Sequence, residues 1–159
     1  MKLVTRDEAL QRYGAIDYAS KRWPHQAQWM RMLEIQPNMF PEWMVMDTKM
    51  PVKHIACNVD MYPALDNALR AIAKKGLAKF LKTYDGCFNI RPVRGSNNFS
   101  WHSYGLAIDL NAETNPMGQT KGDFRDHMDV VQCFKDESFV WGGDFNGRKD
   151  NMHFQFAIG

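Results

Sequence analysis

The sequence predicts an α+β protein in which a small antiparallel sheet is flanked by helices. Three short segments alternate apolar and polar residues with the period of two that half-buried strands show. Two other segments carry apolar residues at the spacing of amphipathic helices. The strands and helices do not follow a βαβ rhythm, which favours α+β over a parallel sheet. With 159 residues the chain can bury a proper core, and residues 1–159 are expected to form one domain.

Three predicted strands, residues 87–93, 105–111 and 152–156, each have one apolar face and one polar face. The apolar faces consist of Phe88, Ile90, Leu106, Ile108, Leu110, Met152, Phe154 and Phe156. The opposite faces carry Asn89, Arg91, Ala107, Asp109, Asn111, His153 and Gln155. An arginine, an aspartate and a histidine on these faces, with His102 just before the middle strand, are side chains that a catalytic metal site needs.

Three helices are predicted from start signals and apolar stripes. Residues 5–8 have the Thr-x-x-Glu form of a capping box, so a helix should follow them and run to about Tyr13, before a glycine. A second helix, residues 63–75, begins with a proline and also stops before a glycine. A third is expected over residues 122–136. The buried stripes of the last two are expected to be Leu65, Leu69, Ile72, Phe124, Met128, Val131 and Phe134.

The first 60 residues are predicted to be a helical and irregular region that covers the core. Within them, residues 23–50 hold three of the five Trp, six of the eleven Met and three Pro. A short helix with irregular, core-covering chain is the favoured interpretation. A flap that contacts substrate is the alternative, because Trp and Met provide adaptable apolar contacts.

Charge and hydropathy exclude several classes of protein. A net charge of +2 gives no strong attraction to nucleic acid, and no uncharged run is long enough to span a bilayer. The N-terminal residues lack the apolar core of a signal peptide, so synthesis in the cytoplasm is expected. Nothing in the sequence indicates more than a monomer.

The cysteines indicate neither a disulfide framework nor a cysteine-rich zinc site. Cys57, Cys87 and Cys133 are odd in number and form no Cys-x-x-Cys pair. They are expected to be ordinary buried thiols, with Cys87, on the polar face of its strand, the most exposed of the three.

The spacing of four residues suggests a catalytic metal site. His102 and Asp109 are seven residues apart where a loop enters a strand, and Asp150 and His153 are three apart around a turn. Two histidines and a carboxylate leave an open position on zinc, a further carboxylate can act as general base, and Arg91 can bind a carboxylate or stabilise an oxyanion. Each residue also has an ordinary interpretation, as a hydrogen-bonded histidine or a surface arginine. A carboxylate inside an apolar strand, however, needs a partner.

Four motifs, in order, resemble those of the zinc D-Ala-D-Ala carboxypeptidase and L-alanyl-D-glutamate endopeptidase family, which includes vancomycin-resistance dipeptidases and phage endolysins. Residues 100–109 read Ser-x-His-x-x-Gly-x-Ala-x-Asp, and residues 150–153 read Asp-x-x-His. Residues 90–92 resemble the family's Tyr-Arg-Pro strand, and residues 139–145 its Trp-Gly-Gly-Asp turn. The resemblance covers about residues 86–156. It implies the small α+β fold shared with the hedgehog signalling domain.

The resemblance also implies roles for individual residues. His102, Asp109 and His153 would be the zinc ligands. Asp150 would be the catalytic acid and base, and Arg91 would polarise the scissile carbonyl. The positions that would support them are Ser100 and Asp144.

One departure from the family pattern bears on the substrate. The dipeptidase and carboxypeptidase branches usually have Glu where this chain has Asp150, whereas Asp is similar to the phage endopeptidase branch. The expected function is therefore an L-alanyl-D-glutamate endopeptidase that cleaves the stem peptide of peptidoglycan as a phage endolysin, released from the cytoplasm by a holin-type partner. A D-Ala-D-Ala dipeptidase or carboxypeptidase, a virion-associated peptidase and a non-catalytic zinc-binding module are the alternatives.

Overall fold

The computed structural model describes residues 3–93, 95–96 and 98–159, and it has the α+β architecture that the sequence predicts. The helices are α1 (Arg6–Tyr13), α2 (Gln26–Trp29), α3 (Tyr62–Lys74), α4 (Asp123–Asp126) and α5 (Met128–Lys135). The strands are β1 (Met30–Glu34), β2 (Met44–Val45), β3 (His54–Asn58), β4 (Thr83–Tyr84), β5 (Ala107–Asp109), β6 (Val140–Trp141) and β7 (His153–Gln155). Short 3₁₀ helices span Ala78–Phe80, Trp101–Tyr104 and Gly142–Asp144.

In the part of the chain that the structure describes, the strands form three small sheets. β1 pairs with β3 in antiparallel fashion, and β2 pairs with β4 in parallel. The third sheet is antiparallel, with the order β5-β7-β6. Its register places Asp109 directly opposite His153, and Trp141 opposite Phe154. This sheet is the platform on which the polar side chains of the predicted second and third strands meet.

The apolar face of the β5-β7-β6 sheet packs against α4 and α5. Ile108 and Phe154 are fully buried, and the ring of Phe154 stacks on Phe134 of α5 with centroids 4.2 Å apart. Phe124 of α4 approaches the same ring edge-on at 5.5 Å. Burying each such side chain stabilises the fold by about 1.5–3 kcal/mol. These contacts fix the sheet, and with it the side chains on its other face.

The first two predicted helices are confirmed, with nearly the predicted limits. Thr5 caps α1, because its hydroxyl oxygen accepts a hydrogen bond from the backbone N–H of Glu8 at 3.3 Å. Gly14 and Gly76 both have positive φ, the conformation that glycine adopts most easily where a helix ends.

The third predicted helix is interrupted at His127, whose backbone leaves the helical region (φ −133°, ψ 59°). The His127 ring stacks on Phe80 at 3.8 Å. The break gives α5 a separate orientation, which buries Val130, Val131 and Phe134. The prediction that Met128 is buried is wrong, since 41% of it is exposed.

The prediction of a strand over residues 87–93 is also wrong. The segment runs beside residues 98–102, but only an isolated bridge between Pro92 and Phe99 forms. Proline has no N–H to donate to a ladder, and the partner segment turns into a 3₁₀ helix. Cys87, expected to be the most exposed thiol, is buried, with Sγ 3.8 Å from the carbonyl oxygen of Gly105. All three cysteines are free and buried, as expected for ordinary thiols.

The N-terminal region contains more regular structure than predicted, because β1 and β3 form an antiparallel pair within it. Trp23 and Trp43 are buried in the core, whereas Met32, Met46 and Met50 are exposed. Along β1 only Leu33 is buried, so the strand lacks the alternating pattern that would have indicated it. No helix in the described residues is long and apolar enough to cross a membrane.

Asp60 fastens α1 to the segment after β3. Its carboxylate accepts hydrogen bonds from Nε and Nη2 of Arg12 at 2.8 and 3.1 Å, and from the Tyr13 hydroxyl at 2.7 Å. Burial favours the neutral form, but these hydrogen bonds outweigh it and hold the pKa of Asp60 below its ordinary value. The carboxylate therefore stabilises the fold at neutral pH.

Asp60→Asn is expected to lower the free energy of unfolding by about 1.5–3 kcal/mol at neutral pH, the usual contribution of hydrogen bonds to charged groups. Because the folded-state pKa is depressed, this difference is complete above the unfolded pKa of about 3.9 and disappears as the pH falls through the folded-state pKa. Urea unfolding over a pH series measures it. Asp66→Asn, which breaks the exposed pair with Arg70 on α3, is the control, with a loss of about 0.3–0.5 kcal/mol. A difference that persists in strong acid would contradict this account.

Candidate metal centre

Three polar side chains from three different elements meet on the face of the β5-β7-β6 sheet that lies opposite α4 and α5. His102 lies on the 3₁₀ helix that leads toward β5, Asp109 ends β5 and His153 begins β7. One ligand atom from each of the three lies within 4.8 Å of the other two. The pairing of Asp109 with His153 across the antiparallel strands accounts for two of them. The 3₁₀ helix brings in the third.

The imidazole of His102 is held by groups on either side. The hydroxyl oxygen of Ser100 caps the 3₁₀ helix by accepting from the backbone N–H of His102 at 3.3 Å. Nδ1 of His102 lies 2.8 Å from the carbonyl oxygen of Cys87, which can only accept, so Nδ1 carries the proton. Nε2 therefore presents a lone pair. It lies 3.2 Å from Oδ2 of Asp109.

That nitrogen of His102 is buried and lacks a hydrogen-bond partner among the described residues. Its distance to Asp109 is short, but the contact lacks hydrogen-bond geometry. A buried, unsatisfied lone pair beside a carboxylate is costly unless a cation lies between them. The donor set, two imidazole nitrogens and one carboxylate, is one that binds zinc and leaves a position open. The residues present therefore fit a zinc ion.

His153 faces the same carboxylate through its other nitrogen. Nδ1 lies 3.1 Å from Oδ1 of Asp109, and Nε2 lies 2.8 Å from Oε1 of Gln155. Burial lowers the pKa of His153, but the hydrogen bond with Asp109 outweighs it, and the pKa is raised. Burial conversely raises the pKa of Asp109, but the charges of His102 and His153 outweigh it, and the pKa is well below its ordinary value. The site thus favours an ionised carboxylate wherever positive charge faces it, either as protons on the two rings or as a metal ion.

Asp150 lies in the turn that leads into β7, and its carbonyl oxygen accepts from the N–H of His153 at 3.1 Å. Its Oδ1 is buried without a hydrogen-bond partner among the described residues. Burial is the largest influence on the pKa of Asp150 and raises it. The charge of Asp109 acts in the same direction, while His153, His102 and Arg91 oppose both. Asp150 is therefore a second carboxylate close to the first, in an environment that favours holding a proton.

Arg91 lies beside the 3₁₀ helix of His102, and its charge lowers the pKa of Asp150. Its backbone is pinned to the 3₁₀ helix on both sides: its N–H donates to the hydroxyl of Ser103 at 3.0 Å, and its carbonyl accepts from that hydroxyl at 2.7 Å. The same carbonyl accepts from the N–H of Ser100 at 3.0 Å. Arg91 is thus carried by the element that carries His102.

Asp144, predicted as a supporting residue, makes its described side-chain contact with α5. Its carboxylate is half exposed and pairs with Nζ of Lys135 at 2.7 Å. This contact ties the Gly142–Asp144 turn to the end of α5. Its described contacts place Asp144 in support of the turn that precedes Asp150.

The turn before β7 depends on Asn151, which sequence reasoning did not single out. Asn151 is fully buried; its Nδ2 donates to the carbonyl oxygens of Gln119 and Lys121, both at 3.2 Å, and its Oδ1 accepts from Arg125 at 3.3 Å. Its own carbonyl accepts from Trp141 Nε1 at 2.8 Å. A single side chain therefore joins three segments next to Asp150. Only the tertiary contacts reveal this role.

Gln155 and the carbonyl of Cys87 were also missed as partners of the two histidines. Gln155 follows His153 by two residues on the same predicted face, so the alternating pattern already contained the signal. Cys87 gave none, because it acts through its backbone.

The family comparison agrees with this geometry. Residues 94–156 match the model of a family of M15 peptidases described as D-alanyl-D-alanine carboxypeptidase. No curated protein matches the chain. The matched segment contains His102, Asp109, Asp150 and His153, whereas Arg91 precedes it. The match covers less than half of the chain and shows a similarity to that family of peptidases.

The backbone of Asp150 passes so close to Gly142 that only glycine fits there. A Cβ on Gly142 would lie 2.2 Å from the carbonyl oxygen of Asp150, and the N–H of Asp150 donates to the Gly142 carbonyl at 3.0 Å. Gly142→Ala is expected to displace the turn and to lower the free energy of unfolding by about 1–3 kcal/mol, because two backbone segments would have to separate.

Thermal unfolding together with the chemical shifts of residues 150–153 measures this effect. Gly147→Ala is the matched control, since a Cβ there meets nothing within 4 Å. Equal behaviour of the two variants would contradict the proposed close approach.

Proposed function

We propose that this protein is a zinc-dependent peptidase that cleaves the stem peptide of peptidoglycan, specifically as an L-alanyl-D-glutamate endopeptidase. The observation that carries the proposal is the meeting of His102, Asp109 and His153 within 4.8 Å. A second buried carboxylate, Asp150, and the charge of Arg91 lie beside them. The M15 family match over residues 94–156 supports the same class of reaction.

In this proposal the zinc ion would be held by Nε2 of His102, one carboxylate oxygen of Asp109 and Nδ1 of His153. Bound zinc lowers the pKa of water to about 7 and polarises a carbonyl oxygen. The protein contributes the orientation of the three ligands, which the Cys87 carbonyl and Gln155 set from behind. It also contributes a largely buried setting, in which charges interact more strongly than in water.

Asp150 acts as the general base and then as the general acid. Its unpartnered Oδ1 and the neighbouring negative charge of Asp109 both increase its tendency to take up a proton. It would accept a proton from the attacking water and deliver it to the nitrogen of the leaving amine, so one carboxylate serves both steps.

Arg91 stabilises the negative charge that develops on the carbonyl oxygen of the scissile bond. Its charge lowers the pKa of Asp150, and Ser103 and Ser100 fix its backbone next to the 3₁₀ helix that carries His102. Removing one such stabilising group typically lowers the rate about 10²–10³-fold.

The choice of bond rests on Asp150. The shorter Asp in place of Glu is similar to the endopeptidase branch of the family. A D-Ala-D-Ala carboxypeptidase is the second candidate, favoured by the description of the matching family. The nearby Asp150 and Arg91 count against a zinc module without catalysis.

The cellular role follows from the substrate. Peptidoglycan lies outside the cytoplasmic membrane, so we propose that the protein acts there as a monomeric phage endolysin after release by a holin-type partner. The net charge of +2 gives no reason to expect nucleic acid as a partner.

Digestion of purified peptidoglycan with the zinc-loaded protein, followed by mass spectrometry, tests the proposed activity. We expect glycan strands that keep L-Ala and released peptides that begin with D-Glu. A chelator should abolish both products, and added zinc should restore them. Release of D-Ala alone would shift the assignment to a carboxypeptidase. Absence of any product with zinc bound would contradict the peptidase assignment.

Two alanine variants separate ligand from base. His153→Ala is expected to lose zinc and activity together, because one of three ligands is removed. Asp150→Ala is expected to keep a full complement of zinc and to lose hydrolysis, by about 10²–10⁴-fold, since only proton transfer is removed. Metal analysis of the purified variants and rates on peptidoglycan measure the two effects.

Glu113→Ala, at an exposed position, is the control and should keep both zinc and activity. Zinc loss in Asp150→Ala would make Asp150 a ligand. Full zinc content in His153→Ala would refute its assignment as one.

A further inference from the structure

We propose that Gln155 is a positioning residue that fixes His153 in one tautomer and one ring orientation, with Nδ1 facing the metal. This inference rests on the proposed zinc site and deepens it. It concerns the atom through which His153 binds and the residue that selects that atom. Nothing in the sequence pattern alone distinguishes the two ring nitrogens.

The hydrogen bonds of Gln155 leave its amide one orientation. Its Nε2 donates to the carbonyl oxygen of Ala157 at 3.0 Å, a contact that the amide oxygen cannot make because both atoms would be acceptors. Oε1 must then point the other way, where it lies 2.8 Å from Nε2 of His153. An amide oxygen only accepts, so Nε2 of His153 carries the proton. In the neutral ring Nδ1 is left with its lone pair toward Asp109, and the proton that charges the ring is the one that Asp109 accepts.

The anchor of Gln155 is itself rigid. Ala157 is fully buried and forms a parallel bridge with Val4, and the N–H of Ile158 donates to the carbonyl oxygen of Val4 at 2.8 Å. The N–H of Phe156 donates to the carbonyl oxygen of Leu106 at 2.8 Å. The segment after β7 is therefore held on two sides. The 3% exposure of Gln155 leaves little access for water to replace its contact with the ring.

The two histidines of the cluster thus use opposite nitrogens. His102 donates from Nδ1 to the backbone carbonyl of Cys87 and presents Nε2, whereas His153 donates from Nε2 to a side chain and presents Nδ1. The first tautomer is set by backbone and cannot be removed by substitution. The second depends on one side chain, Gln155, and is therefore open to a direct test.

Histidine nitrogen NMR gives a readout that does not depend on activity. Two-bond proton–nitrogen correlation spectra of the wild-type protein, metal-free above the imidazole pKa and loaded with zinc, are expected to show His153 protonated at Nε2. The zinc-loaded form should also show zinc on Nδ1. Protonation at Nδ1 in the wild-type protein would overturn the inference without any variant.

Two substitutions then assign the effect to Gln155. Gln155→Leu keeps the approximate volume but removes the acceptor, so the metal-free protein should show a mixture of tautomers. Zinc affinity, measured by competition with a chromophoric chelator, should fall about 10–100-fold, as is typical when such an outer hydrogen bond is lost. Gln155→Glu loses the contact with the Ala157 carbonyl, and with it some stability, but keeps an acceptor for Nε2–H; it should keep the tautomer and bind zinc more tightly than Gln155→Leu.

Gln132→Leu, at an exposed position on α5, is the matched control and should change neither readout. A merely structural role for Gln155 predicts that the Leu and Glu variants weaken zinc binding equally, in step with lost stability, which would overturn the proposal. So would an unchanged tautomer and affinity in Gln155→Leu.

Failure of the proposed function is distinguishable from failure of this inference. If the wild-type protein binds no zinc, the zinc site is wrong, while the tautomer of the metal-free protein still decides the role of Gln155.

Discussion

The structure around the site depends on one constraint, the burial of the Asp109 carboxylate at the end of an apolar strand. Ile108 and Leu110 on either side are fully buried and fix the backbone, and only 15% of the Asp109 side chain is exposed. An isolated buried carboxylate costs far more than one hydrogen bond returns. Two imidazoles lie next to the carboxylate: Nε2 of His102 is 3.2 Å from Oδ2, and Nδ1 of His153 is 3.1 Å from Oδ1. The elements nearby serve to hold those rings in place.

Each ring is held by a partner that faces away from the carboxylate. The backbone carbonyl of Cys87 orients His102, and Gln155 orients His153. Both rings present a lone pair to one point, which is an arrangement suited to a cation rather than to an ordinary hydrogen-bond network. A buried polar cluster with an unsatisfied nitrogen destabilises a fold unless a bound ligand offsets that cost. The protein thus holds a locally unfavourable arrangement of charge that a metal ion would relieve.

The neighbouring machinery is built on irregular backbone rather than on strands. Arg91 precedes a bridge, His102 lies on a 3₁₀ helix and Asp150 lies in a turn. The first two segments are held because the Ser103 and Ser100 side chains satisfy backbone groups of Arg91 and His102 in place of a ladder. A base and an oxyanion-stabilising group must approach a metal from different sides, whereas the side chains on one face of a flat sheet all point the same way. The turns allow side chains to approach from the other sides.

What the sequence determined by itself was local. Alternation over residues 105–111 and 152–156 predicted β5 and β7 and the polar side chains that they carry. This was possible because successive side chains of a strand point to opposite faces, so neighbouring residues are enough to show the pattern. The capping box at Thr5 and the motif spacing likewise needed no distant partner.

The tertiary structure decided everything that depends on contacts between segments far apart in the chain. The break at His127, the pairing of β1 with β3, the burial of Cys87 and the ion pair of Asp144 with Lys135 all depend on neighbours that the local pattern does not specify. So does the selection of one nitrogen on His153, which requires Gln155 and its anchor at Ala157 together. Hydrogen-bond direction is a property of packed atoms, whereas spacing along a chain fixes only which face a side chain shares.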